Sequence, residues 1–277
     1  WTNQVNGYQL KFDISQIYGK MKFKYMPVHS HTFIYGAECI SYDLMPGSYL
    51  PYGAGSLVVP DVMDNEKGVE GAVYLGDNWA FSPKLSLDFG VRYSMFSSDK
   101  VYSAPEIRLS GRYLVSDNLS VKAGFNSMRQ YVHMLSNTVA MSPTDTWKLC
   151  DGDIAPQRGW QVAAGVYSNV LDDRVELSLE AYYKRMADYL DYKSGVQMVM
   201  NRNIAEDAVR VKGKAYGVEL MASKPLGKFN GWASYTWSRS KLREDGERGS
   251  SAINGGKWYS ASYDKPHELK IVGNYKF

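Results

Sequence analysis

The chain has 277 residues, 44% of them hydrophobic, and a formal net charge of +3. A mean hydropathy of −0.37 and the lack of any apolar run of about 18 residues exclude a helical membrane span, and the scatter of Lys and Arg along a nearly neutral chain excludes a nucleic-acid binder. Aromatic residues at 14%, with 25 Gly and only 10 Pro, describe β-structure with many turns.

In chain order, a short connection is expected at 27–30 and a long one at 44–67. After a second short turn at Ser82-Pro83, apolar Leu85, Leu87, Phe89, Val91, Tyr93 and Met95 alternate with Lys84, Ser86, Asp88, Gly90, Arg92 and Ser94, the period of a strand with two unlike faces. A long connection at 98–103 leads to Ile107, Leu109, Gly111, Tyr113 and Val115, alternating with Arg108, Ser110 and Arg112. Across the turn Ser116-Asp117-Asn118 the pattern resumes in Leu119, Val121, Ala123 and Phe125. The longest loop, 132–158, follows. Beyond the short turn at 171–173, Val175, Leu177, Leu179, Ala181 and Tyr183 alternate with Glu176, Ser178, Glu180 and Lys184 in a segment, 174–192, that could form one strand. A long loop at 194–209, a short turn at 224–227 and a long loop at 244–264 precede the last strand, Leu269 to Phe277. About twelve strands are expected.

Alternation alone fits both a soluble sandwich, apolar inside, and a membrane barrel, apolar outside. Length separates them. Strands in soluble proteins run about five or six residues, whereas these run about eleven or more, enough for a tilted crossing of a membrane. Short turns at one end and long loops at the other repeat the anatomy of an outer-membrane barrel, with the periplasm at the short-turn end. In the pairs Leu85/Tyr93, Val175/Tyr183 and Phe229/Trp237 an aromatic follows an apolar residue eight positions later on the same face. Eight residues span roughly 26 Å along a strand, or about 20 Å along the membrane normal at a tilt near 40°. That matches a lipid band with aromatics at its outer interface. Leu85, Phe89, Leu109, Val121, Phe125, Leu177 and Leu179 are therefore expected to face lipid, and Arg92, Arg112, Lys122, Glu176, Glu180 and Glu219 the lumen.

Catalytic and cofactor signatures are missing, and no enzyme is expected. Gly53-Ala54-Gly55-Ser56 lacks a third glycine and a following helix, and Gly256-Lys257 is followed by Trp258 where a phosphate loop needs Ser or Thr. Cys39 and Cys150 lie far apart without ligand spacing, so neither a disulfide framework nor a zinc site is expected. His29, His31, His133 and His267 sit singly, away from any Cys or carboxylate at ligand spacing. Asp145, Asp151 and Asp153 lack the regular ladder of a calcium loop. No metal and no cofactor are expected. Asn118-Leu119-Ser120 matches a glycosylation acceptor only formally, at a short turn.

Several words of the sequence resemble a known family: Phe125-Asn126, Gln130-Tyr131-Val132-His133, Leu135-Ser136-Asn137, Pro143-Thr144-Asp145, Trp147, Pro156-Gln157, Gln161, Gly165 and Tyr167. Further on come Glu180-Ala181-Tyr182-Tyr183-Lys184-Arg185-Met186, Leu190-Asp191-Tyr192-Lys193, Gly213-Lys214-Ala215-Tyr216-Gly217-Val218-Glu219, Gly231-Trp232-Ala233-Ser234-Tyr235-Thr236-Trp237-Ser238, and Tyr263-Asp264 with His267. Together they resemble the barrel of TonB-dependent outer-membrane receptors of the Bacteroidetes type, most closely after about residue 100; His31, Gly36 and Pro46-Gly47 are a looser match. The resemblance implies an all-β antiparallel transmembrane barrel of 22 strands around an amino-terminal plug. It also implies residence in the bacterial outer membrane and uptake of a scarce ligand (an iron chelate, cobalamin, a glycan or a peptide) with energy from the TonB complex. Residues 1–277 are expected to form part of that barrel domain, the plug, the contact with TonB and the carboxy-terminal strands being absent. A complete twelve-stranded passive pore or adhesin barrel is the alternative, and a soluble carbohydrate-binding β-protein a more distant one.

Partners are then the TonB complex through the plug, the imported ligand and outer-membrane lipid, with no nucleic acid. Ligand recognition is expected in loops 132–158 and 244–264, because loops set specificity on a common barrel. Trp147, Arg158, Trp258 and Tyr259 are the candidate substrate-binding residues. Each has an alternative as an interfacial anchor, and Arg158 lies near the level of lipopolysaccharide phosphates.

Overall fold

The structure is a computed structural model that describes residues 4–135, 146–192, 196, 200–246 and 252–277. Its wall consists of eleven long strands of 9 to 21 residues: β1 (Tyr8–Val28), β2 (His31–Pro51), β4 (Glu66–Ala80), β5 (Leu85–Ser97), β6 (Val101–Ser116), β7 (Leu119–Gln130), β10 (Gln157–Val170), β11 (Val175–Tyr192), β12 (Ala208–Lys224), β13 (Phe229–Glu244) and β15 (His267–Tyr275). Two short strands, β3 (Asp61–Val62) and β14 (Tyr259–Ser260), add to its rim. A separate hairpin, β8 (Val132–Leu135) with β9 (Thr146–Leu149), rises from the longest loop, and one helical turn, α1 (Ile204–Asp207), precedes β12. Each wall strand pairs antiparallel with its neighbour in chain order, so the sheet is a meander. Among the described residues, β1 pairs only with β2 and β15 only with β13.

The register sorts the side chains. One cross-strand row reads Phe89, Leu109, Phe125, Val162, Tyr183 and Tyr216; the row beside it reads Gly90, Arg108, Asn126, Gln161, Lys184 and Ala215. Because a strand alternates its faces, each parity holds along every strand until a bulge intervenes, as it does in β11 between Met186 and Tyr189. The seven residues expected to face lipid share the first face, and the six expected in the lumen share the second. The apolar face is uncovered: Leu109 is 44% and Ile271 72% exposed. A contiguous apolar wall of this extent is stable only against hydrocarbon.

The expected short connections all form, at 29–30, 81–84, 117–118, 171–174 and 225–228. In the fourth of these, 171–174, Asp172 and Asp173 take φ of 56° and 61°, the left-handed region that Asp tolerates better than most residues. Two long connections differ from expectation. Loop 44–67 shrinks because β2 continues to Pro51, its far half pairing with β1 through Leu10↔Tyr49. Pro46 is tolerated there because it falls where the register slips between Lys11↔Ser48 and Asp13↔Met45, a bulge that asks no ladder hydrogen bond of it. Connection 98–103 is a tight 98–100 turn, closed by Ser98 N–H donating to Lys100 O at 3.2 Å.

Buried apolar clusters gather at the long-loop end, the first and third of them on the polar face. One contains Tyr42, Leu44, Phe96, Tyr131, Leu149 and Cys150, a second Leu135, Ile154, Leu190, Tyr192 and Ile204, and a third Val209, Val211, Leu242 and Ala261. The segments of the first and third clusters therefore fold inward over the lumenal wall, whereas Leu190 and Tyr192 of the second, past a bulge in β11 between Met186 and Tyr189, pair with Arg210 and Ala208 on the other parity.

Candidate functional site

The lumenal face of β2, β4, β5 and β6 is organised by Arg92. Its guanidinium donates to Glu38 Oε1 at 2.7 Å, Glu70 Oε1 at 3.0 Å and Glu106 Oε1 at 2.6 Å. Glu106 is its direct cross-strand partner; the planar fork of donors lets one side chain reach all three carboxylates. Lys20 Nζ approaches Glu38 at 3.4 Å, and Tyr18 and Tyr42 hydroxyls donate to Glu38 and Glu70 at 3.2 and 3.3 Å. Three carboxylates against two cations leave this part of the wall net negative.

Directly toward the long-loop end, the β8–β9 hairpin lies on the first apolar cluster. Phe96 stacks on Tyr131 at 5.1 Å between ring centres, and Tyr131 and Ser94 hydroxyls lie 2.8 Å apart. Polar contacts clamp the hairpin to the wall. Glu66 accepts from Lys148 Nζ at 2.7 Å and from Leu149 N–H at 2.9 Å, and Lys148 also reaches Asp151 Oδ2 at 2.5 Å. The 98–100 turn and its flank hold the next segment: Ser98 and Tyr102 hydroxyls donate to the carbonyls of Cys150 and Asp151, and Gly152 N–H donates to Asp99. Burial lowers the basicity of Lys148, but the bonds to Asp151 and Glu66 outweigh it, so its pKa is raised. Burial pushes the Cys150 thiol up to about 12 and lowers the pKa of His133.

Of the candidate residues, Trp147 packs half-buried against this first cluster. Tyr259 also turns inward: it pairs with Leu242, joins the third cluster, and its hydroxyl donates to Asp191 Oδ2 at 2.5 Å. Burial and the Asp191 carboxylate together raise its pKa. Arg158 and Trp258 stand on the opposite side of the wall. Arg158, directly across from Arg129, pairs with Asp188 at 2.8 Å. Trp258 lies among the outward Lys214, Arg243 and Arg185, which approach its ring at 4.3, 5.0 and 5.9 Å. The structure thus brings the four into two pairs separated by the sheet, not into one site.

The histidine expectation needs correction for two residues. His31 Nδ1 lies 2.7 Å from Asp77 Oδ2, and His133 Nε2 lies 3.4 Å from Cys150 Sγ and 3.2 Å from Ala155 O. Partners 46 and 17 residues away are brought together by strand register, which local spacing does not reveal. Both cysteines are free, Cys39 exposed and Cys150 buried. Among the described residues no three potential ligands assemble a metal site. Asp151 caps its own loop by accepting from Asp153 and Ile154 N–H, Asp153 is exposed, and Asp145 lies outside the described residues. Sequence reasoning missed Glu38, Glu70 and Glu106. Their lumenal parity was available as a signal, and the tight 98–100 turn would have set Glu106 opposite Arg92.

Of the three outer-face aromatics singled out in the sequence, Tyr183 and Trp237 belong to one continuous belt, which Tyr93 does not join. Phe125, Trp160, Tyr183, Tyr216 and Trp237 follow one another across β7, β10, β11, β12 and β13 with ring centres 5.7 to 6.5 Å apart. Trp160 and Tyr216, on strands running back from the long-loop end, complete what Tyr183 and Trp237 began.

A TonB dependent receptor-like β-barrel family model matches residues 1–275. Among solved structures, the chain is similar to the FrpB iron transporter of Neisseria meningitidis, at 13% identity and a TM-score of 0.66 over 95% of this chain and 40% of that one. It is similar to the ferripyoverdine receptor of the Pseudomonas aeruginosa outer membrane, at 18% identity and 0.60 over 98% and 36%. It also resembles a chain of the RagAB peptide importer, at 16% and 0.57 over 92% and 33%. No curated protein matches. The chain spans well under half the length of these structures, and at such identities they speak for the fold. From the strand meander, the lipid-facing apolar wall with its aromatic belt, and a family match along nearly the entire chain, this protein belongs to the TonB-dependent receptor β-barrel family of the bacterial outer membrane.

Proposed function

We propose that this chain forms part of the wall of a ligand importer in which a plug fills the lumen and the TonB complex supplies the energy. The observation that carries this reading is the inward fold of the β8–β9 hairpin and of the β14 segment onto the first and third clusters. Loops serving only as a surface coat have no need of buried clusters against the lumenal wall, whereas a receptor needs a rigid mouth to hold its ligand. Arg92 with its three carboxylates stiffens the wall beneath, and the Lys148 clamp fixes the hairpin above. Trp147 and Tyr259, both turned inward, are the candidate ligand contacts. Their chemistry, a broad aromatic face and a hydroxyl, suits a glycan, a peptide or an aromatic iron chelate alike, so the ligand class stays that of a scarce, bulky solute.

Uptake of labelled iron chelates, cobalamin, oligosaccharides and peptides by cells expressing the protein tests the proposal. One class should accumulate against its gradient, and accumulation should stop when TonB is deleted. Trp147→Ala with Tyr259→Phe should weaken binding of that class while the barrel still inserts. Uptake that persists without TonB would establish a passive pore and refute the reading.

A further inference from the structure

Above the aromatic belt, the outward face of β7 and β10–β13 carries rows of like charge. Arg185, two residues beyond Tyr183 on β11, stands directly opposite Lys214, which stands opposite Lys241. In the adjoining row Arg129 faces Arg158, and Lys212 faces Arg243. Like charges directly across an antiparallel pair destabilise it, and here four such pairs occur. Carboxylates compensate part of this charge: Arg158 has Asp188, Lys212 has Asp245, and Arg239, between Trp237 and Lys241 on β13, has Asp264. Among the described residues Arg129, Arg185, Lys214, Lys241 and Arg243 have no ion pair; three of them instead flank the ring of Trp258. The rows are local. On β5 and β6 the outward residues beyond Tyr93 are Met95, Ser97, Val101 and Ser103.

Height identifies the occupant. Two residues past the belt is about 6 to 7 Å along the strand, or about 5 Å along the membrane normal at the usual tilt. Arg158, Arg185 and Lys214 stand at that height, just outside the hydrocarbon, while Arg129, Lys212 and Lys241, four residues past the belt aromatic of their strands, and Arg243, six past Trp237, stand about 10 and about 15 Å beyond the belt by the same measure, so the cations span the layer of lipid headgroups. Strands lie about 4.8 Å apart, so the patch from β7 to β13 is roughly 19 Å wide. A lipid held there keeps its acyl chains on the apolar wall below the belt while its phosphates meet the cations above it. We propose that this patch is a binding site for the phosphorylated headgroup of an outer-leaflet glycolipid, with Arg185, Lys214 and Arg243 as its centre and Trp258 as the platform that holds these three side chains in place. This assignment is independent of the ligand-import reading, since the patch is on the other side of the wall.

The test is retention of lipid by the protein extracted from outer membranes, washed in detergent, and offered purified lipid A, the same lipid A after enzymatic dephosphorylation, or inorganic phosphate. Native mass spectrometry counts the bound lipid. The wild-type protein should retain phosphorylated lipid A and bind the dephosphorylated form at least about tenfold more weakly, and inorganic phosphate should not displace the lipid, because it lacks the chains that the wall holds. The variant Arg185→Gln/Lys214→Gln/Arg243→Gln should lose the preference for phosphate while keeping the heat-modifiable migration of a folded barrel. Equal retention of the two lipids by the wild type overturns the proposal without recourse to any variant, as does an unchanged preference in the folded triple variant. Full displacement by inorganic phosphate would show a free-anion site and overturn it as well.

Discussion

Replacing Arg92 by Met removes the one cation that three lumenal carboxylates share. The group is largely shielded, with side-chain exposures of 17% for Arg92 and 16%, 13% and 5% for Glu38, Glu70 and Glu106. Removing one partner of a buried ion pair costs about 3–5 kcal/mol, because the other is left charged and unpaired. Lys20 still stands 3.4 Å from Glu38, so the loss falls mainly on Glu70 and Glu106. Arg92→Met should therefore destabilise the wall by about 3–5 kcal/mol at neutral pH. Arg92→Lys should lose less, keeping the charge but not the fork that reaches three acceptors. Adding Glu38→Gln, Glu70→Gln and Glu106→Gln to Arg92→Met should recover most of the deficit by removing the stranded charge. Urea-unfolding midpoints in isolated outer membranes, followed by loss of heat-modifiable migration, measure all three. A loss below about 1 kcal/mol for Arg92→Met, or no recovery in the neutralised variant, would mean that lumenal water screens these groups as it screens exposed pairs, and the hub would have no structural weight.

Other consequences are local. Phe96 is fully buried between Tyr42 and Tyr131, so Phe96→Ala should cost about 3–5 kcal/mol and speed protease cleavage of the β8–β9 hairpin while the wall strands stay protected. Gly68→Ala should loosen the same hairpin, since its Cβ would lie 2.6 Å from the Phe96 ring. Leu179 lies midway between Val175 and Tyr183 on the lipid face, and Leu179→Arg should reduce stability by roughly 2–4 kcal/mol, whereas Glu180→Arg, one residue on and lumenal, should insert normally. His133 is held below its usual pKa of 6.5 by burial. Above pH 6.5 both folded and unfolded forms are neutral and it has no effect; as the pH falls below 6.5 the unfolded form binds the proton more readily, so the hairpin should become steadily easier to cleave. His133→Gln should remove that acid sensitivity in the same protease assay.

The wall was legible because its signal is local and repeated. Each strand carries its own alternation, a hydrocarbon solvent imposes the same parity on all of them, and the eight-residue step from Val175 to Tyr183 measures the lipid band directly. The rim was not legible in the same way. Pro46-Gly47 reads as a breaker, yet pairing with β1 carries β2 past it, because the cost of a missing amide depends on whether a partner strand asks for that bond, and at a bulge it does not. Residues 98–103 carry the composition of a long loop although they hold a tight turn, because polar Ser98, Asp99 and Lys100 look alike in a tight hairpin and in a coil.

The candidate residues show where single-residue reasoning stops. Trp258 and Tyr259 are neighbours in sequence and both aromatic, but in an extended segment neighbours point to opposite faces, so a loop that crosses the rim sends one to the lumen and the other to the lipid interface. Composition marks both as rim residues, and only the register of β14 on β13, Leu242 with Tyr259, assigns the sides. The same register exposes the basic rows. Arg129, Arg158, Arg185, Lys212, Lys214, Lys241 and Arg243 are scattered over more than a hundred positions and leave a chain of nearly zero net charge, which is why nucleic-acid binding was excluded. Folding gathers them into one band, two to six residues beyond the aromatic belt. Charge balance counted along a chain therefore says little about the field a sheet presents, because an antiparallel meander brings the same height of every strand to one line, and that line is where a membrane keeps its phosphates.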